Sequence, residues 1–167
     1  AVAAETQALM CNMTAAGELE TLSAERVWQE FAKALGAARP QRWFQVLAEC
    51  GGLTPWLEEL TSATTHHFDS GTSEQRFALL PWSMANLQRL AKRLRIPKHY
   101  LQLAIDRLLY GDVLCSYPWS AGQALELLGA LIDLQVLHDG SRCQRLMQAL
   151  GVEAVGPSDE VFNDIRL

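Results

Sequence analysis

The chain has 167 residues, 49% of them apolar, and a net charge of −5. That is enough apolar material for a buried core, which excludes a disordered tail, and no apolar run approaches the roughly 20 residues that cross a bilayer. No basic stretch precedes a hydrophobic block at the N-terminus, so no secretory leader is expected and the default is a soluble, cytoplasmic protein.

The first segment, from about Ala3 to Thr14, places Ala3, Leu9, Met10 and Met13 at spacings that suit one apolar helix face, and Gly17 stops it. Ser23 is a good N-cap, with Glu25 in the first turn and Val27, Phe31, Ala34 and Leu35 forming the face, up to a stop at Gly36. Pro40 opens a helix with Trp43, Phe44, Val46 and Leu47, ended by Gly51 and Gly52. A shorter helical piece runs from Leu53 to Leu60. Residues 61–73, rich in Thr and Ser, read as a loop or boundary.

Thr72 and Gln75 have capping-box spacing for a helix that Pro81 interrupts. The next helix spans about Ser83 to Leu94. Pro97 opens another with Tyr100, Leu101, Ala104, Ile105, Leu108 and Leu109 inward, expected to end at Gly111. Ser120 with Gln123 and Ser141 with Gln144 suggest two more capping boxes, opening helices of about 121–137 and 142–150, the second stopped by Gly151. From Ser158 a last helix begins that the chain end cuts short. With no alternating strand pattern and no repeat, the expected fold is all-α, a bundle or array of about eight to nine short helices.

Charge is segregated. Between residues 70 and 110 stand Arg76, Arg89, Lys92, Arg93, Arg95, Lys98 and Arg107 against Glu74 and Asp106, so the middle of the chain is basic while both flanks are acidic. A polyanion is expected to prefer that middle. The four cysteines, Cys11, Cys50, Cys115 and Cys143, form no C-x-x-C unit, and each reads as a small buried residue or an idle thiol. Trp28 and Trp43 share helices with apolar faces and read as core. Trp119, beside Pro118, is the best candidate for an exposed tryptophan.

The blocks E-T-Q-A-L-M at Glu5–Met10, G-E-L-E-T-L-S-A-E-R-V-W-Q-E at Gly17–Glu30 and R-W-F-Q-V-L-A-E-C-G-G-L at Arg42–Leu53 resemble, in this order, the neck of bacterial CCA-adding tRNA nucleotidyltransferases. Glu25, Arg26 and Glu30 match that family's E-R-x-x-x-E motif. L-A-K-R-L-R-I-P at Leu90–Pro97 is similar to a basic helix end in the family's body. The similarity over residues 100–150 is fainter. The resemblance implies a neck-like region at 1–60 and a helical, RNA-holding body at 74–167 with a truncated C-terminus. It also implies a neck helix that props the nucleotide-selecting helix beside it. On spacing alone, Arg26 and Glu30 stand four apart, close enough to pair, and a guanidinium there also suits holding a neighbouring helix end.

The family's G-G-x-x-R-D turn, D-x-D metal pair and E-D-x-x-R motif are absent from this sequence. Two-metal phosphoryl transfer needs carboxylates for the metal ions and donors for the triphosphate. The chain by itself is therefore expected to be inactive, with no catalytic residue and no cofactor. Mg2+ with CTP and ATP is what the resemblance implies for an N-terminal catalytic head outside this chain. Some relatives carry a His-Asp phosphohydrolase in the body. Here His66 and His67 fall in the corresponding region, but Pro81-Trp82-Ser83 stands where the His-Asp pair belongs, so no metal site is expected.

The partner implied is tRNA, held at its acceptor arm and elbow. Duplex RNA hides its base edges, so contact through phosphate and ribose is expected. Arg89, Lys92, Arg93, Arg95 and Lys98 are the candidates, the first three at helical spacings of three and four. Two alternatives stay open: the same region of a bacterial poly(A) polymerase, and a helical scaffold whose basic stripe meets an acidic protein.

Overall fold

The computed structural model describes residues 2–65, 71–116, 123–136 and 138–152, and every regular element among them is helical. Eight α-helices run in chain order: α1 Ala4–Ala15, α2 Ala24–Gly36, α3 Pro40–Glu49, α4 Ser73–Ala78, α5 Met84–Leu94, α6 Lys98–Cys115, α7 Ala124–Asp133 and α8 Ser141–Leu150. Two 3-10 segments, Glu18–Thr21 and Glu58–Thr65, lie between them. Contacts divide the chain into two compact units, residues 1–105 and 106–167.

Local chemistry explains most boundaries. The Ser23 hydroxyl accepts the Arg26 N–H at 3.4 Å and starts α2. At α4 the Thr72 hydroxyl accepts the Gln75 N–H while the Gln75 side chain accepts the Thr72 N–H, a complete capping box. Ser83 accepts the Asn86 N–H to open α5, and Pro40 occupies the first turn of α3.

The first unit is built around aromatic rings. Phe31 of α2 and Phe77 of α4 have no solvent exposure, and their centroids stand 6.1 Å apart. Phe31 stacks on Trp43 at 5.7 Å and meets Phe44 edge-on at 6.0 Å, both on α3. Trp28 meets Phe31, Phe77 and Tyr100 at near-perpendicular angles, so one ring joins α2, α4 and the start of α6. Indole N–H groups find partners at the margin: Trp82 donates to the Phe77 carbonyl and Trp56 to the Leu19 carbonyl.

In the second unit, Leu114, Ala130, Leu134, Leu146 and Ala149 are buried. Asp106 is the single buried charged residue among those described, at 1% exposure. Its carboxylate takes two hydrogen bonds from Arg142, at 2.8 and 2.6 Å, and Arg142 also donates to the Asp133 carbonyl. The carboxylate holds the guanidinium's pKa above its ordinary value, against the opposing effect of burial.

Several expectations are corrected. The apolar face expected for α1 is not a core face: the helix has no buried residue, and Leu9 and Met13 are exposed. The piece expected as a helix over Leu53–Leu60 is turns followed by a 3-10 segment. α6 continues through Gly111 to Cys115, because Gly111 is a small buried position facing Leu150 of α8 and not a stop. The expected box at Ser141 and Gln144 does not form; Ser141 is already helical, and Asp139 accepts both its N–H and its hydroxyl. α7 ends at Asp133, short of 137. Ser120, Trp119, His66, His67 and the helix expected from Ser158 fall outside the described residues.

Deleting a large buried ring removes transfer energy and leaves a cavity. Phe77→Ala is expected to destabilise the first unit by about 3–5 kcal/mol in urea unfolding. Asp106→Ala strands the partly buried Arg142 and is expected to cost about 3 kcal/mol, read on the second unit by hydrogen exchange across α8.

Candidate nucleic-acid interface

The five cations expected to form one ridge have different surroundings. α5 carries Arg89, Lys92 and Arg93. Arg93 is drawn inward: its two terminal nitrogens donate to the two oxygens of Glu59 at 3.0 and 2.9 Å, and it also donates to the Trp56 carbonyl. The Glu59 side chain is only 4% exposed, so this is a structural pair that ties α5 to the 3-10 segment Glu58–Thr65. Two parallel bonds from a planar guanidinium fix orientation as well as charge.

Arg89 shares that face of α5. It stands 3.8 Å from the same Glu59 carboxylate and donates to the Asn86 side chain at 2.6 Å, yet it remains largely in solvent. Arg89 and Arg93 line an open cleft of about 630 Å³ whose other wall carries Glu58 and Glu59. The cleft is thus mixed in charge. Lys92 and Lys98, by contrast, are exposed.

Arg95 caps α5 in the left-handed region, at φ 52° and ψ 47°, a conformation where glycine is the ordinary choice. A side chain there costs on the order of 1 kcal/mol. Arg95 is 77% exposed and donates to Glu25 of α2 at 2.8 Å. Glu25's pKa lies below the usual carboxylate value, first through a backbone N–H bond and then through Arg95. Because the shift is downward, what this carboxylate contributes is present above the usual carboxylate range and disappears as pH falls through the lowered value. The pair is therefore intact at neutral pH.

Of the E-R-x-x-x-E motif, Glu25 reaches Arg95, and Glu30 holds Lys33 at 2.7 Å instead of Arg26. Arg26 is exposed on the first turn of α2. Holding a neighbouring helix end, which suited Arg26 by type, falls to Arg76: its guanidinium donates to the Leu35 and Ala37 carbonyls, both at 2.7 Å, and closes the C-terminus of α2. Arg76 was visible in the sequence only as a member of a charge count, and Glu59 only as part of an acidic flank. Their partners lie 41 and 34 residues away, beyond any local spacing rule. Among the described residues no group of three or more His, Cys, Asp or Glu side chains could hold a metal ion, and no helix is long and apolar enough to cross a membrane.

Residues 1–64 match a family model described as "Probable RNA and SrmB- binding site of polymerase A". The chain is 35% identical to the CCA-adding enzyme of Pseudomonas putida over 143 residues, covering 80% of this chain and 37% of that protein. The CCA-adding enzyme of Coxiella burnetii is 37% identical over 117 residues, 65% of this chain and 31% of that protein. A multifunctional CCA protein of Cupriavidus taiwanensis is 59% identical over 59 residues, 35% of this chain and 14% of that protein. No solved structure matches significantly. The chain thus spans about a third of the relatives that match most of it, and it is a segment of the CCA-adding enzyme family.

Removing Arg93 leaves the Glu59 carboxylate buried with only Arg89 nearby. Arg93→Ala is expected to cost about 3 kcal/mol in urea unfolding, whereas Lys92→Ala, at an exposed position of α5, changes stability by less than about 0.5 kcal/mol. Equal effects of the two substitutions would contradict the inward assignment of Arg93.

Proposed function

We propose that this segment of the CCA-adding enzyme family holds tRNA through its sugar-phosphate backbone while a catalytic head adds CCA to the 3′ end from CTP and ATP. The observation that carries the reading is the set of exposed cations around the junction of α5 and α6, namely Arg89 and Lys92 on α5, Arg95 at its C-cap and Lys98 at the start of α6. Flexible ammonium groups on an exposed turn suit phosphates whose positions follow the shape of a folded RNA. Arg93 contributes by fixing α5 in place, not by touching RNA. Work on tRNA sets the protein in the cytoplasm, and the acceptor arm and elbow are the parts of the substrate whose duplex backbone such a surface fits.

The matched family model is described for polymerase A, which favours one second reading: the same region of a poly(A) polymerase, with single-stranded RNA as the ligand. The CCA-adding relatives extend over 80% of the chain, and the first reading rests on that reach.

Salt separates these readings, because each phosphate contact releases counterions. Binding of tRNA, poly(A) and heparin, measured at low and high salt, is expected to favour tRNA. Lys92→Ala/Lys98→Ala is expected to weaken tRNA binding about tenfold and reduce the salt slope by about 2, with the unfolding midpoint unchanged. Preference for poly(A) would favour the second reading. Unchanged tRNA affinity in the double variant would remove the turn from the RNA surface, and heparin bound as well as tRNA would leave a general polyanion surface suited to an acidic protein.

A further inference from the structure

We propose that Cys11 and Cys50 are a paired thiol site, which a hydroperoxide oxidises to a disulfide joining α1 to the end of α3. Four residues apart on α1, Gln7 and Cys11 share a helix face that Thr14 continues one turn later. That face runs along residues 49–51. The Gln7 side chain donates to Glu49 at 2.8 Å, and the Cys50 thiol lies 3.7 Å from the Gln7 carbonyl oxygen. One turn on, a β-carbon built on Gly51 would stand 3.7 Å from the Thr14 methyl group.

Cys11 lies between Gln7 and Thr14, as Cys50 lies between Glu49 and Gly51. The Gln7 carbonyl beside the Cys50 thiol is also the one that takes the Cys11 N–H in the helix ladder. A helical Cα–Cβ bond tilts toward the N-terminus, so the Cys11 side chain leans back over this same turn. The neighbouring Cys11 thiol, followed by burial, raises the Cys50 pKa. All four cysteines are free thiols.

Cys50 is buried and Cys11 is partly open, so the oxidant reaches Cys11 first. The Cys11 thiolate attacks the terminal hydroperoxide oxygen; an S–O bond forms, the O–O bond breaks, and the leaving oxygen takes a proton to depart as alcohol or water. Cys50, as thiolate, then attacks the sulfenic sulfur; the S–S bond forms, the S–O bond breaks, and the oxygen leaves as water after gaining a proton. The two thiols give up two electrons and two protons, which the hydroperoxide accepts. The raised Cys50 pKa makes the second step faster as pH rises.

The test exposes the 167-residue chain to hydrogen peroxide, caps the remaining thiols and maps peptides with and without dithiothreitol. The expected product is a Cys11–Cys50 linked peptide about 2 Da lighter than the two thiol peptides together, released by the reductant. It should persist in Cys115→Ser/Cys143→Ser and vanish in Cys11→Ser, a change at a partly open position that leaves the circular dichroism spectrum intact. Two results would overturn the proposal: Cys11 oxidised to sulfinic acid without a link in folded protein, or links to Cys115 or Cys143 formed in preference.

Discussion

Phe31 and Phe77 stand 46 positions apart in the chain and share one water-free contact, and the first unit is organised by the rings around them. Trp28, Trp43, Phe44 and Tyr100 complete a cluster in which α2, α3, α4 and the start of α6 each supply at least one ring. Edge-to-face contacts of this kind are directional, so they set the angles of the helices as well as their proximity. Within that frame Glu25 on α2 reaches Arg95 at the end of α5. The position of the cationic turn is a consequence of ring packing.

Charge behaves differently when assigned to partners than when summed along a sequence. The basic middle of the chain faces acidic groups brought in from the first 60 residues, and Glu59 and Glu25 between them engage Arg89, Arg93 and Arg95. Of these three, only the Arg93 pair is shielded enough to matter for folding, because exposed pairs contribute little against side-chain entropy and solvent. Arg95 is therefore held only by an exposed pair, whereas Arg93 is held by a buried carboxylate.

Elements governed by neighbours in sequence were legible: the caps at Ser23 and at Thr72 with Gln75, the opening proline at Pro40, and the stop at Gly151. Each rests on a bond or a backbone angle a few residues wide. Gly111 misled because tertiary packing against Leu150 overrides its low helix propensity. Ser141 misled because Asp139, two residues earlier, is the better acceptor. α1 misled because apolar spacing says nothing of whether a partner face exists. Within the candidate interface, exposure of Lys92 and Lys98 followed from type, but the inward turn of Arg93 depended on a carboxylate 34 residues away. The cysteines are spaced too widely for any local motif, and nothing in their spacing shows α1 lying along residues 49–51.

The C-terminus of α2 has no left-handed glycine; Gly36 is its last helical residue and Ala37 is extended. Its free carbonyls are satisfied instead by Arg76, which arrives only with α4. The last turn of one helix and the docking of another are therefore coupled: fraying of α4 releases the carbonyls at the end of α2 to water.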